Sequence, residues 1–148
     1  MSDLTDLYQE VILDHTKRPR NCYVMDCANR TADGHNPLCG DTVKVYLRIE
    51  NGIIREISFQ GEGCAICTAS TSLMTESVKG RKVDDVKEIF HGFHDMLTGV
   101  AEEQGLELGK LQVFEGVREY PVRVKFATLA WHTLNAAMDG DDESVTTE

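Results

Sequence analysis

The sequence predicts an α+β fold, a small antiparallel β-sheet with helices packed against it and a group of thiols at one end of the sheet. Three observations carry this reading. Val43, Val45, Leu47 and Ile49 alternate with Lys44, Tyr46, Arg48 and Glu50, the pattern of a half-buried strand. Asn51-Gly52 follows at once, a strong hairpin signal because both residues tolerate positive φ. Segments on both sides of this hairpin carry apolar residues at helical rather than alternating spacing.

In chain order, Leu4, Leu7, Tyr8, Val11 and Ile12 give residues 3–15 an amphipathic helix that stops before Lys17-Arg18-Pro19-Arg20-Asn21. Residues 22–35 mix Asn, Asp and Gly and read as extended or looped, with room for one edge strand. Asn36-Pro37-Leu38-Cys39-Gly40-Asp41 is a turn-rich loop. The return strand of the hairpin covers residues 53–60, with Ile57 and Phe59 inward. Gly61 and Gly63 then suggest a sharp turn into a helix over residues 65–79, closed by Gly80. Asp84-Asp85 opens another helix with Val86, Ile89, Phe90, Phe93, Met96 and Leu97 as its stripe. Residues 99–118 read as a loop with one short helical turn. Pro121 suits the first turn of a last helix whose core face is Val124, Ala127, Ala130, Trp131, Leu134, Ala137 and Met138. Residues 1–138 make one domain, and the acidic tail 139–148 is expected to lack fixed structure.

Composition narrows the function. The 148 residues suffice for one core without covalent staples. A net charge of −10 argues against nucleic-acid binding, which needs basic surface. No signal-like or membrane-length apolar run occurs, so a cytoplasmic, reducing setting is expected. There, five cysteines point to metal or sulfur chemistry rather than disulfides.

Four residues stand out. Cys39 and Asp41 precede the hairpin, and Cys64 and Cys67 follow it. Antiparallel pairing returns both pairs to the same end of the sheet. Three thiolates and a carboxylate are a tetrahedral set for Zn²⁺, and thiolates equally suit Fe–S clusters. Cys64 falls where a strand turns into a helix, so unpaired N–H groups and the helix dipole favour its thiolate. Plainer readings stand beside this one. The site can be a closed zinc clip that only holds loops, Cys67 can be a small core filler, and Asp41 can cap a turn. A redox Cys-x-x-Cys would want a βαβ context that is absent.

Several motifs resemble those of the IscU/SufU family of iron–sulfur cluster assembly proteins. They are Ile12-Leu13-Asp14-His15 with Pro19-Arg20-Asn21, Asn36-Pro37-Leu38-Cys39-Gly40-Asp41, and Gly63-Cys64-Ala65-Ile66. Ser70-Thr71-Ser72-Leu73, Val78-Lys79-Gly80 and Tyr120-Pro121-Val122-Arg123-Val124-Lys125 continue the likeness. The long segment between Cys64 and the last motif is similar to the SufU branch. The resemblance implies sulfur acceptance from a pyridoxal-phosphate cysteine desulfurase, with Cys39 as persulfide acceptor, and delivery to downstream cluster acceptor proteins. It implies Zn²⁺ or iron as a [2Fe–2S] cluster on Cys39, Cys64 and a further ligand. Two alternatives accompany it: a zinc-dependent sulfurtransferase that never holds a cluster, or a variant that keeps only metal or partner binding. The last arises because the family's third cysteine is Phe126 here. Phe126 cannot bind metal or carry a persulfide, so Cys67 is the candidate to restore the ligand.

The other thiols and imidazoles weigh less. Cys22 and Cys27 match no motif and read as surface or packing thiols. His91 and His94 lie off the apolar stripe of their helix, and His132 and Lys125 fall on the polar side of theirs. His35 is close enough in sequence to Cys39 to support the site from behind. Lys17, Arg18 and Arg20 read as solvated loop charges or partner contacts.

Overall fold

The hairpin is the centre of the architecture. In a computed structural model, which describes residues 2–36, 40–98, 111, 114, 120–140 and 145–146, strands β2 (Asp41–Glu50) and β3 (Ile53–Glu62) pair antiparallel. Asn51 and Gly52 take φ values of 55° and 75°, which close the turn between them. A register irregularity at Arg48/Ile49 lets the strands twist near that turn. Strand β1 (Arg30–Asn36) pairs antiparallel with the other side of β2, and β4 (Val145–Thr146) lies parallel beside β1, giving the order β3-β2-β1-β4.

One face of the sheet is apolar and covered. Ala32, Val43, Val45, Leu47, Ile57 and Phe59 are buried, and α2 (Ala65–Val78) and α4 (Pro121–Asp139) pack there. The expected stripes meet on this face. Ala127, Ala130, Trp131, Leu134 and Ala137 are fully buried, and Val124 packs at the margin. From α3 (Val83–Thr98), Phe93 sits 5.1 Å from the Trp131 ring and Phe90 stacks on it at 6.0 Å. Leu111 and Phe114 complete this aromatic cluster from the long connection, both fully buried. Fully burying each such side chain contributes roughly 1.5–3 kcal/mol, so the sheet–helix interface carries the fold without disulfides.

Helix α1 (Ser2–Lys17) is fastened to α2 by polar groups rather than by apolar ones alone. His15 Nδ1 and Ser72 Oγ are 2.7 Å apart, and both residues are buried. The same Ser72 oxygen accepts the Arg20 backbone N–H at 2.8 Å, while Arg20 reaches back to Asp14 at 2.6 Å. The bond from the Arg20 guanidinium holds the Asp14 carboxyl below its usual range. Asn21 Nδ2 donates to Thr75 Oγ1 at 3.0 Å. The motif from Asp14 to Asn21 is therefore a clamp between two helices, with Arg20 as part of it.

Three places in the chain are more definite than their composition suggests. Residues 30–36 form a full strand, because Ala32, Gly34 and Asn36 alternate inward in register with β2. At the C-terminal side, Asp139 completes α4, Gly140 caps it at φ 75°, and Val145–Thr146 pair with Gly34–His35. The sharp passage from β3 to α2 takes only Gly63 and Cys64, but the glycines do not make it by a left-handed backbone. Gly61 lies inside β3, and neither glycine has positive φ; their small size serves another purpose, described below.

Candidate metal and sulfur site

The ends of the hairpin converge as the pairing requires. Thr42 is the register partner of Glu62, which sets Asp41 beside the segment that leads from β3 into α2. Asp41 is the first residue of β2 and shares the inward parity of Val43, Val45 and Leu47, so its carboxyl is 1% exposed. It accepts the Cys64 backbone N–H through Oδ1 at 2.9 Å, and its Oδ2 lies 3.8 Å from Cys64 Sγ. Cys64 is the N-cap of α2, and its sulfur accepts the Cys67 N–H at 3.4 Å. The helix start expected to favour a thiolate is thus in place around Cys64.

The two glycines make this approach possible. A Cβ on Gly63 would come within 2.5 Å of Asp41 Oδ1, and one on Gly61 within 2.2 Å of the Thr42 carbonyl oxygen. Gly63 must lack a side chain for the carboxyl to reach the start of α2, and Gly61 must lack one for β3 to lie against the Thr42 backbone. Because these contacts cross from one strand to the next, local spacing of the glycines does not reveal them.

The donor chemistry fits a metal. A tetrahedral Zn²⁺ with one sulfur ligand at ~2.3 Å and one oxygen at ~2.0 Å separates those atoms by about 3.5 Å. Asp41 Oδ2 and Cys64 Sγ stand at nearly that spacing, 3.8 Å. Cys67 is placed differently. Its side chain is buried, and burial first, then the nearby Asp41 and Cys64, push its thiol up to about 12, against a hydrogen bond from Thr71. Its backbone N–H meets Cys64 Sγ, yet among the described residues no group of three or more His, Cys, Asp or Glu is arranged to hold an ion. Cys39 lies outside the described residues. Just after it, Gly40 has φ 74° and donates its N–H to the Asn36 carbonyl oxygen at 2.8 Å, and buried Asn36 is the register partner of Asp41.

Phe126 is at this same end. Helix α4 runs opposite to β1, with Gly140 beside Arg30 and Thr133 against Gly34, so the first turns of α4 lie at the Asn36 end of the sheet. Ser70 Oγ fixes that arrangement by donating to the Ala127 carbonyl oxygen at 2.6 Å. Phe126 is half-buried there, and Tyr120 and Val122 are each 50% exposed nearby.

The remaining candidates separate. Cys22 and Cys27 are exposed. His35 is exposed on β1 opposite Thr42. His91 is exposed and meets Asp95 at 3.2 Å. His94 and His132, expected on solvated faces, instead pack against Phe90 with ring centroids 6.1 and 5.1 Å from it, and lie 6.0 Å from each other. The cause is the wide aromatic stripe of α3, which extends far enough to cover His132. Burial, and secondly His94, lower the pKa of His132.

Comparison with known proteins agrees with this architecture. Residues 7–138 match the profile of the NifU-like N-terminal domain. The zinc-dependent sulfurtransferase SufU of Bacillus subtilis is 36% identical over 133 residues, covering 90% of each chain. The iron–sulfur cluster assembly scaffold protein IscU of Streptococcus pyogenes is 35% identical, over 93% of this chain and 86% of that one. The crystal structure of FiSufU from Fervidobacterium islandicum, a candidate assembly scaffold for the SUF system, superposes with a TM-score of 0.83 at 32% identity. That match covers 87% of this chain and 94% of the other. Among the described residues, no helix is long and apolar enough to cross a membrane.

Proposed function

The chain belongs to the family of NifU-like N-terminal domains, and from that premise we propose that it serves iron–sulfur cluster assembly. In this reading it accepts sulfur from a cysteine desulfurase, holds metal or a nascent cluster on its cysteine thiolates, and passes its cargo to acceptor proteins in the cytoplasm. The observation that carries the reading is the Asp41–Cys64 pair, two donors 3.8 Å apart at the joined ends of one hairpin. The proposed ligands are Cys39, Asp41, Cys64 and Cys67, with Cys67 standing in for the donor that Phe126 cannot supply. A bound zinc ion would keep these thiols deprotonated at neutral pH.

The chain's own residues divide the remaining work. Asp41 and the start of α2 hold Cys64 in place, and a hard carboxylate among soft thiolates is the ligand most readily exchanged. Cys39 is the acceptor. Its thiolate attacks the outer sulfur of the desulfurase persulfide, forming a new S–S bond at Cys39 while the donor cysteine leaves as its thiolate. Tyr120 and Val122, exposed at the same end, offer apolar surface to such a partner.

The 36% identity to a zinc-dependent sulfurtransferase favours a second reading, in which persulfide is relayed and no cluster is held. Anaerobic incubation with desulfurase, cysteine and iron, followed by absorption spectroscopy and persulfide labelling, separates the two. A cluster that survives desalting supports the scaffold, persulfide on Cys39 without a cluster supports the relay, and neither product sinks both. The ligand set has its own check. Cys67→Ser is expected to weaken zinc binding by more than about tenfold, the loss that removing even an outer-shell partner can cause. Unchanged affinity and stoichiometry remove Cys67 from the set.

A further inference from the structure

The acidic tail returns to the sheet, and it does so beside the site. Helix α4 is capped by Gly140, which has a left-handed backbone, φ 75°, and lies close to Arg30 at the start of β1. Val145–Thr146 then run parallel to β1, opposite Gly34 and His35, and also touch α4. Among the described residues, no other strand pairs with this edge of β1. The next residue along β1 is Asn36, which pairs with Asp41 and accepts the Gly40 N–H at 2.8 Å. The tail therefore supports the last part of β1 before the chain enters the site. On its other side, β1 is held firmly, with Thr133 of α4 filling the space that a Cβ on Gly34 would need.

We propose that Val145–Thr146 form a releasable strap on β1, so that the tail sets how readily the Asn36–Asp41 end of the sheet opens. The length of the strap makes it releasable. Two residues in a parallel pairing gain few hydrogen bonds against the backbone entropy of ordering them, and so short a pairing opens far more often than a domain unfolds. Release removes support from Gly34 and His35, and the effect passes through the backbone to Asn36 and its partners Gly40 and Asp41. A consequence for sulfur acceptance rests on the function proposed above; the strap itself does not.

Amide hydrogen exchange tests the strap in three variants of the full chain: one ending at Gly140, one carrying Val145→Pro and Thr146→Pro, and one carrying Val145→Ala and Thr146→Ala. Proline removes the backbone donors without changing charge, whereas alanine keeps them. The shortened and proline chains are expected to exchange about threefold or more faster at Gly34 and His35 than the unaltered chain. Gly40 should move in the same direction, while Leu134 in the core and the whole alanine chain should not change. Equal exchange at Gly34 and His35 in the unaltered and shortened chains overturns the strap, as does equal behaviour of the proline and alanine pairs. If Cys39 accepts sulfur, the rate of persulfide transfer should rise in the shortened and proline chains. Absence of any persulfide on the unaltered chain would sink the functional reading, and exchange would still decide the strap.

Discussion

Gly63→Ala isolates the contact that builds the site. The added methyl would lie 2.5 Å from Asp41 Oδ1, 3.0 Å from its Cγ and 3.2 Å from its Cβ. The carboxyl must retreat by roughly 0.5–1 Å to restore an ordinary separation, which breaks or bends its 2.9 Å bond to the Cys64 N–H. Losing a hydrogen bond to a buried carboxyl costs about 1–3 kcal/mol. Gly63 does not have positive φ, so alanine adds no backbone strain and recovers about 0.4–1 kcal/mol by restricting the unfolded chain. The steric loss outweighs that gain, for a net destabilisation of about 1–2 kcal/mol. Urea unfolding of the metal-free chain should show the midpoint lowered by about 0.5–1 M at the slopes usual for small domains. A double-mutant cycle makes the test specific. In an Asp41→Ala background only the Cβ contact remains, so the same glycine substitution should be close to neutral. An equal cost in both backgrounds would refute the idea that Gly63 exists to admit Asp41.

Two more perturbations probe the surroundings. Ser72→Ala removes the shared partner of His15 Nδ1 and the Arg20 N–H, with an expected loss of about 2–3 kcal/mol and loosening of α1, seen as faster amide exchange in residues 9–17. His132 tests pH dependence. Its pKa is lowered in the fold, so below about pH 6.5 the unfolded chain takes up the proton first. The stability from a neutral His132 is complete above the unfolded value and is lost as pH falls through the lower folded value. The slope is at most about 1.4 kcal/mol per pH unit. His132→Gln should flatten the acid side of the urea-midpoint profile relative to the unaltered chain; parallel profiles would contradict the assignment.

The parts of the fold that could be read directly are those whose information is local. Strict alternation from Val43 to Ile49, the Asn51-Gly52 turn and Pro121 ahead of an apolar stripe each encode one element within a few residues. Cys64 at the start of α2 was legible for the same reason. What escaped depends on separated residues. Gly61 and Gly63 look like turn-formers in isolation, and only the position of β2 shows that they make room for Asp41 and Thr42. The acidic composition of residues 139–148 describes their solvation, whereas the pairing of Val145–Thr146 depends on an edge left open by β1 more than a hundred residues earlier. His94 and His132 fall off their stripes by periodicity, yet a ring as large as Phe90 covers them across two helices.

The parity of Asp41 has a consequence for how errors in this chain are handled. The carboxyl faces inward because it is in phase with Val43, Val45 and Leu47. A slip of β2 by one residue against its neighbours would turn the carboxyl to solvent and at the same time expel those three side chains from the core. A chain in the wrong register therefore cannot keep its stability while losing the contact between Asp41 and Cys64. Hydrophobic burial acts as a proofreading step for the chemistry, and molecules that pass it carry the acid in the one orientation that meets Cys64.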